Sequence, residues 1–219
     1  MSRFIVHSIP GSPYGRAVLA TLEEKNADYR LAPLAPGAQK AEPHLPRHPF
    51  GRVPVLEHDG FLLYETQAIL RHVDRALPEP ALTPADSRAA ARMDQAMNVN
   101  DWYLYRGVAN VIVFHRVVAP RLLGSTPDEV AIAAAMPKAH AVFRELSRLL
   151  GKQSYFAGDA ASLADLMIAP QLDIFALAPE WAPLTADAPD LVEWLGRMTA
   201  RPSFKATTWE RLAAMAEAA

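Results

Sequence analysis

Val53-Pro54-Val55-Leu56-Glu57-His58-Asp59-Gly60-Phe61-Leu62-Leu63-Tyr64-Glu65-Thr66 joins two strand-like runs through Asp59-Gly60. Asp-Gly between apolar runs is a strong two-residue hairpin signal, because both central positions of that turn take positive φ. After the hairpin, Thr66 reads as the cap of a helix running through Leu77, with Ile69, Val73 and Leu77 on one face. Before it, Phe4-Ile5-Val6-His7 is a β-rich run ended by Pro10 and Gly11. Ser12-Pro13 then reads as N-cap followed by first helical position, and Tyr14, Ala17, Val18, Thr21 and Leu22 continue at helical spacing to a stop at Asn26. Tyr29 to Leu34 reads as a second strand and Ala38 to Leu45 as a short helix.

The order is βαβ, a helix, then ββα. That order gives a thioredoxin-like α/β domain over residues 1–77, with a mixed sheet covered by helices. Leu77-Pro78-Glu79-Pro80-Ala81-Leu82 breaks the periodicity, so 78–83 reads as a linker. From 84 to 219 the pattern is that of an all-α C-terminal helical domain. Thr83-Pro84-Ala85-Asp86 and Thr126-Pro127-Asp128-Glu129 each read as Thr cap, Pro and acid at a helix start. Gly151 closes the second of these helices, and Pro137 inside it predicts a kink. Ser162-Leu163-Ala164-Asp165 is a third capping box, and two shorter helices follow at 191–199 and 204–215.

Composition narrows the function classes. Twenty-two basic against 24 acidic residues give a net charge of −2, which offers no electrostatic basis for a nucleic-acid partner. No apolar run approaches the roughly 18–20 residues that span a bilayer, and Met1-Ser2-Arg3-Phe4 leads straight into the first strand, so no membrane partner and a cytoplasmic location are expected. Cysteine is absent, so thiol chemistry requires a thiol carried by a ligand. His44 and His48 share an i, i+4 spacing, but Pro46 between them argues against a helix, and no metal site is expected.

Five segments in this order resemble the soluble glutathione transferase family. They are Pro10-Gly11-Ser12-Pro13-Tyr14-Gly15-Arg16, Asn26-Ala27-Asp28-Tyr29, His48-Pro49-Phe50-Gly51-Arg52-Val53-Pro54-Val55-Leu56, Glu65-Thr66-Gln67-Ala68-Ile69, and Gly158-Asp159 through Ser162-Leu163-Ala164-Asp165. The first domain is most similar to the phi-like plant and related bacterial branches. The resemblance implies conjugation of the glutathione thiolate to electrophilic small molecules, with glutathione as co-substrate and no resident cofactor. It leaves open a glutathione-dependent isomerase or dehalogenase on the same scaffold, and a non-catalytic glutathione-binding scaffold.

A free thiol titrates near pH 8.5, so an enzyme that uses one as nucleophile must stabilise the anion (about 8.5). A helix N-terminus does this through its partial positive charge and unpaired N–H groups, and a hydroxyl there adds a hydrogen bond. Ser12 stands at such a place and is the catalytic candidate; it also caps the helix, and the two roles are compatible. Some branches of the family place a tyrosine at the end of the first strand, where this chain has His7 and Ser8, which makes Ser8 the second choice. The resemblance further implies a cis bond before Pro54, with the Val53 backbone pairing with the peptide of glutathione. Glu65 and Thr66 would meet its γ-glutamyl end, and Lys40 its glycyl carboxylate. Arg52 fills a family position near the ligand.

The electrophile is expected between the domains against the first long C-terminal helix, where Trp102, Tyr105, Arg106 and Phe114 are candidates together with Tyr14. Helical spacing puts Trp102, Tyr105 and Arg106 on one face and Tyr103 elsewhere. Aromatic residues in such a stripe also serve as core or dimer interface. Asp165 resembles the family's helix-capping aspartate, with a folding role. A homodimer is the family's usual state, and Phe50 either inserts into the partner or folds back onto its own domain.

Overall fold

The computed structural model describes Phe4–Ala218; Met1–Arg3, on which the reading of the chain's start rests, lie outside the described residues. The chain divides into two compact units, residues 1–83 with 200–219, and residues 84–199.

The first unit is built on a four-stranded sheet. Strands β1 (Phe4–Ser8), β2 (Tyr29–Pro33), β3 (Val55–His58) and β4 (Phe61–Tyr64) lie in the order β2-β1-β3-β4. β1 runs parallel to β2 and antiparallel to β3, and β3 is antiparallel to β4. The parallel step needs a crossover, supplied by α1 (Pro13–Glu24). Alternation in β1 buries Phe4, Val6 and Ser8 on one side. The second helix, α2 (Thr66–Ala76), buries Ile69, Leu70 and Val73, and packs against α1. This is the thioredoxin-like arrangement expected from the sequence. The segment read as a helix from Ala38 to Leu45 is shorter: a 3-10 turn, Ala38–Lys40, is followed by successive turns closed by His44 N to Ala41 O and His48 N to His44 O.

The C-terminal twenty residues join this unit rather than the helical one. Their expected single helix is two, one at Pro202–Ala206 and one at Trp209–Glu217. The buried Arg16 guanidinium of α1 lies 5.2 Å from the Phe204 ring and 4.4 Å from the Trp209 ring. Arg201 forms a two-pronged pair with Glu24, each N–O distance 2.7 Å, and Ser203 bonds the same carboxylate. A forked guanidinium–carboxylate pair fixes orientation as well as distance.

The second unit is helical. α3 (Ser87–Val99) is capped by Asp86, which accepts from Arg88 N and Ala89 N, not by Thr83 as the sequence suggested. The Thr83 hydroxyl instead donates to Asp74 Oδ2 at 2.6 Å. The chain continues through a wider π-type segment, Asn100–Ala109, then α4 (Asn110–Val113), a second π-type turn Phe114–Val118, and α5 (Ala119–Leu123). α6 (Glu129–Leu150) is capped by Asp128, two residues past the expected Thr126; it includes Pro137 and ends at Gly151. α7 (Leu163–Phe175) is buried along nearly its whole length; α9 (Pro189–Thr199) packs against it and α6, and α8 (Trp181–Thr185) packs against α6 and α9.

At the head of α7, the wholly buried Asp165 fills both carboxylate oxygens. Oδ2 accepts from Ser162 N at 2.9 Å and from its hydroxyl at 2.7 Å; Oδ1 accepts from Phe156 N at 3.0 Å and Trp194 Nε1 at 2.8 Å. Trp194 is fully buried, with the Phe156 ring edge-on at 5.0 Å. Truncating such a ring costs about 3–5 kcal/mol.

Candidate functional site

Strand register places the candidate glutathione residues at one end of the sheet. His7, near the end of β1, pairs with Val55 at the start of β3, and Val55 pairs with Tyr64 at the end of β4. The segments that follow β1, precede β3 and follow β4 therefore leave the sheet at the same edge. They carry Ser12, then Arg52, Val53 and Pro54, then Glu65 and Thr66. The end of β2 joins them, since Ser8 pairs with Pro33 and Leu34 N bonds Ser8 O, so the turn bearing Lys40 starts from this edge too.

Ser12 is the N-cap of α1. Its backbone is extended (φ −80°, ψ 119°), and its Oγ accepts from Gly15 N at 3.2 Å. The hydroxyl is half-buried, with a proton to donate beyond the cap bond, beside the electropositive end of a 12-residue helix. Ser8, the second choice, is buried and its hydroxyl turns to Ile9 O at 3.3 Å. It is walled off by Gly15, where an added Cβ would fall 2.0 Å from the Ser8 Oγ. Only glycine permits that contact between α1 and β1. Tyr14 is the second residue of α1 and is half-buried.

The Val53–Pro54 bond is cis. Pro54 is buried, and the Val53 backbone makes no hydrogen bond within the described residues. Arg52 is exposed, as is Lys40 at the end of its 3-10 turn. Glu65, not Thr66, occupies the cap position of α2; it takes φ 70°, ψ 114°, and Thr66 becomes the first helical residue. A non-glycine residue at positive φ costs roughly 1–3 kcal/mol, and such residues concentrate at functional sites. The placement turns the exposed Glu65 and the first N–H groups of α2 to the same sheet edge.

Histidines frame this edge. Burial, and next the charge of Arg47, lower the His7 pKa below its usual value. Burial also lowers that of His48, partly opposed by the Glu65 carboxylate. The His48 ring lies 4.6 Å from that of Tyr64. His44 bonds Arg52 O through Nε2 at 2.7 Å. Sequence reading weighed His44 and His48 only as metal ligands; among the described residues no group of three potential metal-binding side chains occurs.

The electrophile candidates of the helical unit are only partly gathered. Arg106 stacks its guanidinium over the Trp102 ring at 4.4 Å. The predicted regular helix does not hold there: Arg106 has ψ 114° and Gly107 has φ 77°, a turn that glycine takes without strain. Asn110 Oδ1 accepts from Gly107 N, and Lys138 donates to Arg106 O, which holds the break. Tyr105 is half-buried, and Phe114 is 40% exposed with its ring against His115. Tyr103 instead lines a groove of about 380 Å³ with Val99, Ala141 and Val142.

Comparison with known proteins bears on the family and the fold. The profile of the glutathione S-transferase N-terminal domain matches residues 6–81, and that of the glutathione S-transferase C-terminal domain matches residues 128–197. A probable glutathione S-transferase of rice, Oryza sativa subsp. japonica, is 33% identical over 84% of this chain and 86% of its own. Glutathione transferase F7 of Populus trichocarpa superposes with a TM-score of 0.83 at 28% identity, covering 97% of this chain and 99% of its own. A glutathione S-transferase I from maize, solved with an atrazine glutathione conjugate, superposes at 0.81 with 26% identity over 99% of each chain. Sequence, fold and relatives lead to one assignment: the chain belongs to the glutathione S-transferase family.

Proposed function

We propose that the protein conjugates glutathione to electrophilic small molecules, with Ser12 stabilising the glutathione thiolate. The observation that carries this reading is the half-buried Ser12 hydroxyl at the N-terminus of α1, on the sheet edge it shares with Val53 and Glu65-Thr66. The thiol gives its proton to solvent, and the thiolate accepts hydrogen bonding from the Ser12 hydroxyl. Its sulfur forms a bond to an electrophilic carbon as the leaving group departs with its electron pair. The maize relative solved with a glutathione conjugate supports the same chemistry.

In this reading the Val53 N–H and C=O pair with the main chain of glutathione, as an added strand would. Thr66 and the first N–H groups of α2 receive the γ-glutamyl carboxylate, Glu65 its ammonium group, and Lys40 and Arg52 the glycyl end. Tyr14, Trp102, Tyr105, Arg106 and Phe114 remain the residues assigned to the electrophile. Glutathione is a co-substrate, and the reaction calls on no further cofactor. A cytoplasmic setting fits, since that compartment keeps a reduced glutathione pool. Detoxification of reactive compounds is the matching physiological role.

The assembly we propose is a homodimer. Phe50 is 71% exposed, with its ring edge-on to His48 and Tyr64 at 6.2 and 6.4 Å, and Phe61 and Leu62 are exposed on the edge strand β4. The groove lined by Val99, Tyr103, Ala141 and Val142, together with Gln95, Lys138 and Glu145, offers a second copy's Phe50 a partly apolar seat. Retention on glutathione resin, followed by conjugation of 1-chloro-2,4-dinitrobenzene, tests the activity. Retention without conjugation would leave a binding protein, and failure of both would refute the proposal.

A further inference from the structure

We infer that His44 is a positioning residue of the glutathione site, holding the Arg52–Val53 peptide so that the Val53 N–H faces the ligand. This rests on the reading of Val53 given above.

His44 is 2% exposed, and its Nε2 lies 2.7 Å from the Arg52 carbonyl oxygen. A carbonyl oxygen only accepts, so Nε2 carries the hydrogen and donates it. Nδ1 is then left as an acceptor, and it is buried with no hydrogen-bond partner. An apolar side chain of similar size would fill this space without that penalty. The imidazole is therefore set apart by its bond at Nε2, not by its packing.

The consequence of that bond follows from peptide geometry. Among the described residues the cis bonds are Glu42–Pro43, Val53–Pro54 and Glu79–Pro80, so the Arg52–Val53 peptide is trans. In a trans peptide the C=O and the N–H of the same planar unit point in opposite directions. With the Arg52 C=O held on His44, the Val53 N–H is turned away from His44, and it makes no hydrogen bond within the described chain. The donor is left free at the edge where Ser12 and Glu65 emerge. The anchor is itself fixed on both sides, since His44 N bonds Ala41 O at 3.0 Å and His44 O accepts from His48 N at 3.1 Å. Rotation of the Arg52–Val53 plane would break the bond to a buried ring, so the donor is oriented before glutathione arrives.

Replacing His44 by Phe, Gln or Asn tests the assignment. Binding of S-methylglutathione is measured by calorimetry, kinetics with glutathione and 1-chloro-2,4-dinitrobenzene, and the Val53 amide by 15N–1H correlation spectra. In the wild type, S-methylglutathione should move the Val53 amide proton downfield. His44→Phe should raise the Kd and the glutathione KM about tenfold with kcat within about twofold, the pattern of lost uniform binding, and abolish that shift. His44→Gln, whose amide N–H reaches the same carbonyl, should recover most of the affinity. Should His44→Phe fail to fold, His44→Asn, which is too short to reach, supplies the comparison. A wild type that binds while the variant keeps its Kd and its Val53 shift overturns the inference alone, as does a fall in Tm with unchanged KM. A wild type that binds no S-methylglutathione overturns the reading of the Val53 site and the inference with it.

Discussion

The Lys25 ammonium and the Asp74 carboxylate lie 2.6 Å apart, with the lysine side chain wholly shielded from solvent. Asp74 Oδ1 also accepts from Leu82 N and Oδ2 from the Thr83 hydroxyl, while Lys25 bonds Pro80 O. One buried pair thus ties the end of α1, the body of α2 and the segment 80–83 together.

Burial raises the Asp74 pKa, but hydrogen bonds from Lys25, Thr83 and Leu82 outweigh it and hold the carboxyl below its usual range. The unfolded chain then binds the proton more readily, so the pair's contribution is complete above about pH 5 and fades as pH falls below about 4. At neutral pH, Asp74→Asn should cost about 3–5 kcal/mol, because it leaves the Lys25 charge buried without its partner. Denaturant melts of both proteins from pH 7 to pH 3 should show the gap narrowing on the acid side. A gap independent of pH would count against this assignment.

Ser12→Ala removes two things at once. The lost cap bond to Gly15 N should cost about 1 kcal/mol of stability. The lost thiolate hydrogen bond should lower turnover by up to about 10²-fold while glutathione binding changes little. Ultraviolet titration of bound glutathione should show the thiol pKa moving back toward about 8.5. Ser8→Ala, whose hydroxyl is enclosed behind Gly15, should leave turnover unaltered. The opposite ranking of the two variants would transfer the role to Ser8.

The chain has no cysteine, so it cannot form a mixed disulfide with glutathione. Thiol-transferase activity on a protein–glutathione disulfide, followed in a reductase-coupled assay, should be negligible. A robust rate would contradict serine-type chemistry.

Phe50→Ala separates a ring buried by a partner from one resting on its own unit. If the groove around Tyr103 receives it, the variant should lose about 2 kcal/mol or more of association free energy and sediment as a monomer at micromolar concentration. Tm for the separated subunit would change little, since the ring is 71% exposed. A variant that stays dimeric and melts lower would return Phe50 to its own unit.

The sheet was legible because its signals are local: alternation in Phe4–Ser8, Asp59-Gly60 at the hairpin, Ser12-Pro13 at a helix start. Helix caps were less so. Thr83, Asp86, Thr126 and Asp128 can all cap, and in both helices the carboxylate took the position, while the Thr83 hydroxyl donates to Asp74. The turn at Arg106-Gly107 is held by Lys138, 32 residues away from Arg106, a partner that periodicity cannot reveal. The bond from His44 to Arg52 O was illegible for a related reason. It ends on a backbone carbonyl, which leaves no mark in the choice of side chain at position 52.

The return of residues 200–219 to the first unit has a bearing on biosynthesis. Arg201, Phe204 and Trp209, which engage Glu24 and Arg16, are made only after the whole helical unit that separates them from these partners. A segment emerging from the ribosome would therefore hold Arg16 and Glu24 without their closing contacts until Arg201, Phe204 and Trp209 have been made. Domains usually mature in the order they are synthesised. Here the helical unit, an uninterrupted stretch of chain, can fold while the unit that precedes it still waits for its final piece. A stop codon near position 200 would thus damage the sheet-bearing unit more than the helical unit that follows it.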